Sequence, residues 1–231
     1  MVLYDFLAPA YDPVFEAIYL PFRTRAFDLL PAMRGVTVLD LACGTGQNFP
    51  LLAARIGEQG KIIGVDISSG MLRRARRWVT CAGMPNVSLV QMDAARLSPS
   101  TLQAHTGLSS VDFIVCTYSF TSMRKWEAAF RASLTILKPG GGYLIHDIDA
   151  EKRTLHSFAV EMATRSNFSQ KVWQPLQRLC VDFRMDYLDP SAHRFGGRLF
   201  VAHGTTPSST TPSHAPSDQQ GRKAARAPEP R

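Results

Sequence analysis

Short apolar runs alternate with amphipathic stretches through the middle of the chain. Helical spacing of apolar residues is found at Phe49–Ile56, Ser69–Thr80 and Met123–Leu137. Runs apolar enough to be buried on both faces are predicted to be strands: Val36–Leu41, Lys61–Val65, Val87–Gln91, Val111–Cys116 and Gly142–Ile148. Strands that alternate with helices form parallel sheets with right-handed crossovers. The pattern therefore predicts a doubly wound α/β fold.

The segment before the first strand is predicted to contain an amphipathic helix. Asp12 and Pro13 suit the N-cap and first position of a helix. Apolar side chains then recur at helical spacing until Pro21 disrupts the pattern: Val14, Phe15, Ile18, Tyr19 and Phe22. Such a helix can pack on the sheet, cover an active site as a lid, or lie on a membrane surface.

The pattern changes again after the fifth predicted strand. Residues 153–177 form one long helical stretch, and two strand-like runs follow at Leu179–Leu188 and Gly197–His203. The two runs are expected to pair as an antiparallel hairpin at the edge of the sheet. Residues 204–231 include 13 Ser, Thr or Pro and no large apolar residue, so this tail is expected to be disordered. The domains predicted are a cap at 1–34, a ligand-binding domain at 35–203 and the tail at 204–231.

Composition narrows the class of protein. The chain has 231 residues, of which 45% are hydrophobic and 19% charged, and its formal net charge is +7. No apolar run is long enough for a transmembrane helix. The first 22 residues contain no Lys or Arg, which argues against a secretory signal and favours a cytoplasmic location. The four cysteines are widely spaced, so no metal site is predicted.

A loop of small residues follows the first predicted strand. It runs from Asp40 through Ala42, Gly44 and Gly46, directly before a helix. Glycines at this point let a ligand approach the backbone closely, and doubly wound folds bind ligands here. A dinucleotide fingerprint needs a third glycine where this chain has Phe49, and no phosphate-binding Gly-Lys-Ser/Thr follows.

Two further acids follow the second and third predicted strands. Asp66 lies 20 residues after Gly46, and Asp93 follows Met92. A Lys-Pro-Gly-Gly-Gly turn at 138–142 leads into the fifth strand. One carboxylate can accept hydrogen bonds from a vicinal diol and the other from an exocyclic amine. The order of these motifs indicates a nucleoside-type ligand.

Together these motifs resemble those of class I S-adenosylmethionine-dependent methyltransferases, in particular the quinone C-methyltransferase and bacterial phosphatidylethanolamine N-methyltransferase group. The resemblance implies a seven-stranded sheet. It also implies that Asp40 binds the cofactor's amino group, that Asp66 binds its ribose hydroxyls and that Asp93 binds its adenine. Ala42 departs from the family's Asp/Glu-x-Gly-x-Gly-x-Gly loop, in which the first glycine would stand here.

The same resemblance implies a set of cofactor-binding residues for S-adenosylmethionine and its product S-adenosylhomocysteine. They lie in the N-terminal segment, in the glycine loop and after the second, third and fourth strands: Tyr11, Asp40, Ala42, Cys43, Gly44, Thr45, Gly46, Asp66, Ile67, Met71, Met92, Asp93, Ala94 and Thr117.

Three residues are candidates for catalysis. Tyr11 belongs to an N-terminal segment that covers the cofactor in the resembling enzymes, and Tyr118 follows the fourth strand, near the expected methyl group. His146 ends the fifth strand and is a candidate general base. Each also has a structural interpretation, since tyrosines are often half-buried and a lone histidine often only makes structural hydrogen bonds.

Basic residues are concentrated at two places. Arg73, Arg74, Arg76 and Arg77 share one face of the predicted helix at 69–80, and Arg23, Arg25 and Arg34 lie near the first helix. The arginine face is either simply solvated or a contact for an anionic membrane. No interleaving of aromatic and basic residues points to nucleic acid.

The sequence therefore predicts methyl transfer to a small or amphipathic acceptor, quinone-like or phospholipid-like, in which positioning of the reactants supplies most of the rate enhancement. Two alternatives remain open at this point. One is a nucleotide-dependent oxidoreductase, and the other is a relative that binds the cofactor without catalysis and acts through partners.

Overall fold

The structure is a computed structural model that describes residues 18–150, 154–189 and 196–208. A first helix, α1, includes residues 18–28. The strands are β1 (Thr37–Leu41), β2 (Lys61–Asp66), β3 (Val87–Gln91), β4 (Val111–Thr117), β5 (Leu137–Asp149), β6 (Arg184–Tyr187) and β7 (Arg198–Thr205). The remaining helices are α2 (Phe49–Ile56), α3 (Ser69–Cys81), α4 (Pro99–Thr106), α5 (Trp126–Leu134), α6 (Leu155–Thr164) and α7 (Gln174–Leu179).

These strands form one seven-stranded sheet in the order β3-β2-β1-β4-β5-β7-β6. The first five in this order pair in parallel, whereas β7 is antiparallel to both β5 and β6. The predicted doubly wound sheet and its antiparallel edge hairpin are confirmed. The strand order reverses between β1 and β4, and ligands bind at such a switch point, outside the carboxyl ends of the strands.

Both faces of the sheet are covered by apolar clusters, as the two-sided apolar strands predicted. Alternation along β1 places Leu39 and Leu41 in one cluster with Phe130 and Tyr143. Val38 lies in the opposite cluster with helical residues that include Phe27, Phe49 and Leu52. Helices α1 and α2 therefore pack against the same face of the sheet.

The predicted helices differ from the observed ones in three places. Helix α4 was not predicted, because only Leu102 of its residues is buried, although Ser98 and Gly107 cap its two ends. The single helix expected at 153–177 is instead α6 and α7, because Arg165 adopts a left-handed conformation (φ 55°) that ends α6. Leu137, expected at the end of a helix, begins β5.

The two ends of the described chain also correct the prediction. Helix α1 continues past Pro21 to residue 28. Strand β7 continues to Thr205, two residues beyond the expected end of the folded domain at residue 203. Residues 1–17 and 209–231 lie outside the described part. Within that part, no helix is both long and apolar enough to cross a membrane.

Candidate cofactor and active site

The motif residues that the structure describes meet at the carboxyl ends of β1, β2, β3 and β4. Asp40 is paired through its backbone with Gly64 of β2 and Val115 of β4, which places it at the centre of the sheet. Asp66 ends β2, and Thr117 ends β4 beside His146 of β5. Parallel pairing therefore brings together residues that are more than 100 positions apart in the sequence.

The glycine loop places its glycines under different constraints. Gly44 has φ +56°, and a Cβ built on it would meet no atom of the described residues within 4 Å. Gly46 has φ +89°, and its Cβ would lie 2.5 Å from the Phe49 ring. Gly46 is therefore required by packing, whereas Gly44 has an open side that a ligand can approach.

Ala42 occupies a left-handed conformation, with φ 57°. Left-handed backbone costs an alanine roughly 1 kcal/mol that a glycine does not incur. The backbone at this position of the loop is therefore the conformation that glycine favours, although the residue is alanine.

Asp66 holds the glycine loop against the start of α3. Its carboxylate accepts hydrogen bonds from the backbone N–H of Gly44 at 2.9 Å and of Ser68 at 2.8 Å. Ser68 in turn caps α3 by accepting from the backbone N–H of Met71. Asp66 therefore fixes the backbone on both sides of the position where β2 ends, and its two oxygens are the type of acceptor that vicinal hydroxyls require.

Asp40 is fully buried and only partly hydrogen-bonded. Asn48 donates its Nδ2–H to Asp40 Oδ1 at 2.8 Å, while the buried Oδ2 has no hydrogen-bond partner in the described structure. Burial raises the pKa of Asp40 to about 7, although the Asn48 bond and the charge of Arg23 both lower it. An orphaned carboxylate oxygen at this point suits a cationic ligand group.

Arg23 is the residue that sequence reasoning placed wrongly. It was predicted to lie on a basic surface, but its side chain is only 8% exposed and reaches under the glycine loop. Its guanidinium donates to Asn48 Oδ1, to Thr117 Oγ1 at 2.8 Å and to Gln47 Oε1 at 3.0 Å. It therefore does not serve as a membrane contact.

A sequence signal for this burial did exist. Arg23 is four residues after Tyr19 and four before Phe27, so on a helix it shares the face of those apolar residues. An arginine on the buried face of an amphipathic helix needs polar partners inside the protein. The other basic candidates differ from Arg23: Arg25, Arg34, Arg73, Arg76 and Arg77 are exposed and Arg74 is partly exposed.

Tyr118 and His146 form a hydrogen-bonded pair beside the loop. The Nδ1 of His146 lies 2.7 Å from the carbonyl oxygen of Phe200, which can only accept, so Nδ1 carries the proton. The other nitrogen, Nε2, then accepts from the Tyr118 hydroxyl at 2.5 Å. Burial lowers the pKa of His146 to about 3, which keeps the imidazole neutral at pH 7.

Aromatic side chains from α1 surround this pair. The Tyr19 ring lies 4.7 Å from that of Tyr118, centroid to centroid, and the Arg23 guanidinium lies 5.1 Å from the Tyr118 centroid. Tyr118 itself has a left-handed backbone, with φ 53°. Tyr19 and Phe22 both contact the small apolar cluster around Ile148 and Phe168.

The remaining predicted cofactor residues lie around the same loop. Cys43 and Thr45 are buried, Met71 and Ala94 are buried, Met92 is half-buried and Ile67 is exposed. Asp93 is exposed and accepts from the backbone N–H of Ala95 at 3.0 Å, which leaves its second oxygen available to a ligand. Tyr11 lies outside the described residues. Among the described residues, no three His, Cys, Asp or Glu side chains are grouped as metal ligands.

Comparisons with known proteins agree with this geometry. A family model described as a methyltransferase domain matches residues 33–192. The chain is 28% identical over 199 residues to 2-phytyl-1,4-naphtoquinone methyltransferase of Thermosynechococcus vestitus, which covers 84% of this chain and 82% of that protein. It is 27% identical over 143 residues to demethylmenaquinone methyltransferase of Listeria monocytogenes, which covers 60% of this chain and only 57% of that enzyme.

Solved structures show the same fold at low sequence identity. A methyltransferase in complex with the Trm112 activator from Haloferax volcanii has a TM-score of 0.68 at 19% identity, covering 88% of this chain and 97% of that one. Phosphoethanolamine N-methyltransferase 2 of Haemonchus contortus, in complex with S-adenosylmethionine, has a TM-score of 0.64 at 16% identity, covering 88% of this chain and 57% of that one.

The site fits S-adenosylmethionine on two observations, the open side of Gly44 and the orphaned oxygen of Asp40. The match of the family model to more than half of the chain also decides between the enzyme classes that the sequence left open. The protein belongs to the methyltransferase-domain family and is an S-adenosylmethionine-dependent methyltransferase.

Proposed function

We propose that the protein methylates a small aromatic, quinone-like acceptor in its hydroquinone form. The observation that carries the proposal is the pair formed by Tyr118 and His146, with the Tyr19 ring in tilted contact with that of Tyr118. Aromatic rings favour offset or tilted contact with other aromatic rings, so this wall suits a planar acceptor. The names of the two relatives, both of which act on naphthoquinone-type compounds, support the same class.

The cofactor, when bound, supplies an electrophilic methyl group. A hydroquinone becomes a stronger nucleophile as its hydroxyl proton is withdrawn. Tyr118 donates its own proton to His146, and a phenolic oxygen can also accept a hydrogen bond from the acceptor's hydroxyl, whose proton is released to solvent after the methyl group is transferred. Tyr118 is therefore the proposed catalytic residue.

His146 has a different part in this scheme. It is fully buried, and its described hydrogen bonds are to Tyr118 and to the carbonyl of Phe200. A group whose pKa is about 3 does not store a proton at neutral pH. His146 is therefore proposed as a positioning residue that fixes the direction of the Tyr118 hydroxyl.

A phospholipid acceptor has less support. It depended on an N-terminal motif, which lies outside the described residues, and on basic residues beside the first helix. One of those residues, Arg23, is buried in the site instead.

The acceptor class is tested with methyl-labelled cofactor and three substrates: a reduced 1,4-naphthoquinone, phosphatidylethanolamine vesicles and free phosphoethanolamine. Labelled naphthoquinol is the expected product. Label on either amine, with none on the naphthoquinol, would overturn the proposal.

Variants of the pair test the assigned roles. Tyr118→Phe is expected to lower kcat by about 10-fold, the contribution of one hydrogen bond to the reacting hydroxyl, while the affinity for S-adenosylhomocysteine stays unchanged. Tyr187→Phe is the matched control, since Tyr187 donates instead to Asp149 in the hairpin region. His146→Gln keeps an acceptor amide and is expected to retain more activity than His146→Leu.

A further inference from the structure

Helix α6 presents large apolar side chains to solvent. Leu155, Phe158 and Met162 recur at spacings of three and four residues, so they form one stripe along the helix. Their exposed fractions are 90%, 46% and 66%. A helix on the surface of a globular domain normally turns such a stripe toward the core. The outer face of α6 is therefore suited to an apolar environment rather than to water.

The inner face of the same helix holds two buried polar side chains, Ser157 and Glu161. The Ser157 hydroxyl donates to the carbonyl oxygen of Thr154 at 2.9 Å, and Glu161 accepts from the backbone N–H of Phe168 at 2.8 Å. These bonds fix the orientation of α6. The helix cannot bury its apolar stripe by turning about its axis, because the Glu161 carboxylate would lose its partner.

Helix α6 lies beside the proposed acceptor site. Ala150, which follows β5, donates its backbone N–H to the carbonyl oxygen of Phe168 at 2.9 Å, so the segment that contains α6 returns to the carboxyl end of this strand. Val160, on the inner side of the helix, packs on the same small apolar cluster as Tyr19 and Tyr118. Anything that covers the stripe therefore meets the protein next to the aromatic wall of the site.

The charges near the stripe indicate what covers it. Between residues 154 and 181 the chain has three Lys or Arg and one acid, and that acid is the buried Glu161. Arg165, directly after α6, is exposed, and so is Arg178. An apolar stripe on a segment with exposed cations and no exposed carboxylate is complementary to the surface of an anionic lipid bilayer.

A protein partner fits this surface less well. A stable interface between two proteins buries roughly 800 Å² on each side. One stripe of three partly exposed side chains offers less area than that. Contact with a bilayer needs fewer side chains, because the apolar residues insert at the level of the acyl chains while the cations attract anionic headgroups.

We propose that the stripe formed by Leu155, Phe158 and Met162 is a membrane-docking surface that inserts into an anionic lipid bilayer. Docking through α6 places the proposed acceptor site at the bilayer surface. This surface differs from the arginines of α1 and α3 that the sequence offered for a membrane contact. It does not require a hydroquinone acceptor, so failure of the acceptor assays leaves it standing.

Flotation of the full chain with lipid vesicles tests the surface without any need for turnover. The wild type should bind vesicles that contain phosphatidylglycerol at least about 10-fold more tightly than vesicles of phosphatidylcholine alone, because each cation near an anionic surface adds to the affinity. High salt should reduce this difference. The triple variant Leu155→Ser/Phe158→Ser/Met162→Ser should bind phosphatidylglycerol vesicles at least about 10-fold more weakly, because it lacks the inserted side chains.

Val181→Ser is the matched control, since Val181 is also an exposed apolar residue. Its backbone N–H donates to Thr205, which pairs with Gly142 near the start of β5, at the opposite end of the sheet. This variant should bind vesicles like the wild type. The double variant Arg76→Gln/Arg77→Gln, on the α3 face, should weaken binding less than the triple variant does. Unchanged affinity for S-adenosylhomocysteine shows that each variant is folded.

An environment-sensitive dye reports on the stripe itself. It is attached at Leu155→Cys, and at Val181→Cys for comparison, after Cys81→Ser has removed the exposed native thiol. Emission from position 155 should shift to the blue when phosphatidylglycerol vesicles are added, whereas emission from position 181 should not.

Four results would overturn the proposal. If the wild type failed to bind vesicles at low salt, or if the triple variant bound them as tightly, the stripe would not be a membrane contact. If the dye at position 155 were already shifted in dilute protein without vesicles, another segment of the chain would cover α6. If the wild type but not the triple variant formed dimers in sedimentation velocity, the stripe would contact a second copy of the chain.

Discussion

Asn48 donates a hydrogen bond to one oxygen of Asp40, while the other oxygen is buried and has no hydrogen-bond partner among the residues that the structure describes. Burial raises the pKa of this carboxyl to about 7 from its ordinary value of 3.8. The protein without cofactor therefore contains a carboxyl group that ionises near neutral pH and at a cost in stability.

This cost predicts the pH dependence of stability. Because the pKa of Asp40 is higher in the folded than in the unfolded state, its protonated form stabilises the fold. This contribution is fully present below about pH 4 and is lost as the pH rises through about 7. The corresponding free energy is roughly 4 kcal/mol at most. Asp40→Asn should remove the larger part of the decline in unfolding free energy between pH 4 and pH 7, as measured by urea denaturation of the cofactor-free protein.

Two further variants control this measurement. Asp147 is also buried, and burial raises its pKa to about 6, so Asp147→Asn should remove a part of the decline that lies at lower pH. Glu58→Gln changes an exposed carboxyl and should leave the profile unaltered. An Asp40→Asn profile as steep as that of the wild type would contradict the assignment of Asp40.

Cofactor binding should couple to the same proton. The ionised form of Asp40 is the one expected to bind the cofactor's ammonium group, and at pH 6 most of the carboxyl is protonated because its pKa is raised to about 7. We expect the affinity for S-adenosylhomocysteine to rise about tenfold between pH 6 and pH 8. Calorimetry in two buffers of different ionisation enthalpy should also detect proton release on binding at pH 6. Asp40→Asn should bind more weakly and independently of pH, and a pH-dependent Asp40→Asn would disprove the coupling.

Substitution of the two glycines of the loop by alanine should have different effects on stability and on cofactor affinity. Gly44→Ala places a methyl group in open space, so it should cost only about 1 kcal/mol of stability from its positive φ while lowering cofactor affinity. Gly46→Ala adds a collision with Phe49 at 2.5 Å and should destabilise the fold more. Thermal unfolding with calorimetric titration separates the two effects. Equal affinity of Gly44→Ala and the wild type would show that no ligand approaches this backbone.

Ala42→Gly is expected to stabilise the protein, which is unusual for a substitution by glycine. Glycine adopts the left-handed backbone at φ 57° without the steric strain of an alanine. The free energy of unfolding should therefore rise by about 0.5 to 1 kcal/mol. Ala53→Gly, within helix α2, is the opposite case and should cost a similar amount. Denaturant midpoints measure both changes, and a shift of the same sign in the two variants would contradict the argument.

Asp66→Ala should weaken S-adenosylhomocysteine binding by about 10- to 100-fold, because it removes charge-assisted hydrogen bonds. It also removes the hydrogen bond that the backbone N–H of Gly44 donates to Asp66. The assigned role at the ribose is tested with 5′-methylthioadenosine and its 2′,3′-dideoxy analogue. The wild type should prefer the ligand with hydroxyls, and Asp66→Ala should lose that preference. A preference that survives the substitution would place the ribose elsewhere.

Much of the fold followed from the sequence because its signals are local. Two-sided apolar runs specify buried parallel strands, and the alternation with helices specifies the winding of the sheet. Helix α4 was not predicted because Leu102 is its one buried residue. The end of helix α6 was not predicted because it depends on the left-handed backbone of a single residue, Arg165. Asp40, Gly44 and Asp66 could be named from the sequence because motif order and strand ends predict where they meet.

The sequence by itself determined the fold class, the glycine loop and the acids near the carboxyl ends of β1, β2 and β3. Only the tertiary structure decided the environment of Arg23, since a basic residue in an amphipathic helix is ordinarily solvated and its three acceptors come from two distant segments. The same holds for Tyr118 and His146, which are 28 residues apart and meet only because β4 and β5 pair in parallel. Hydrogen bonds across the sheet depend on register and burial, and these arise only when the chain has folded.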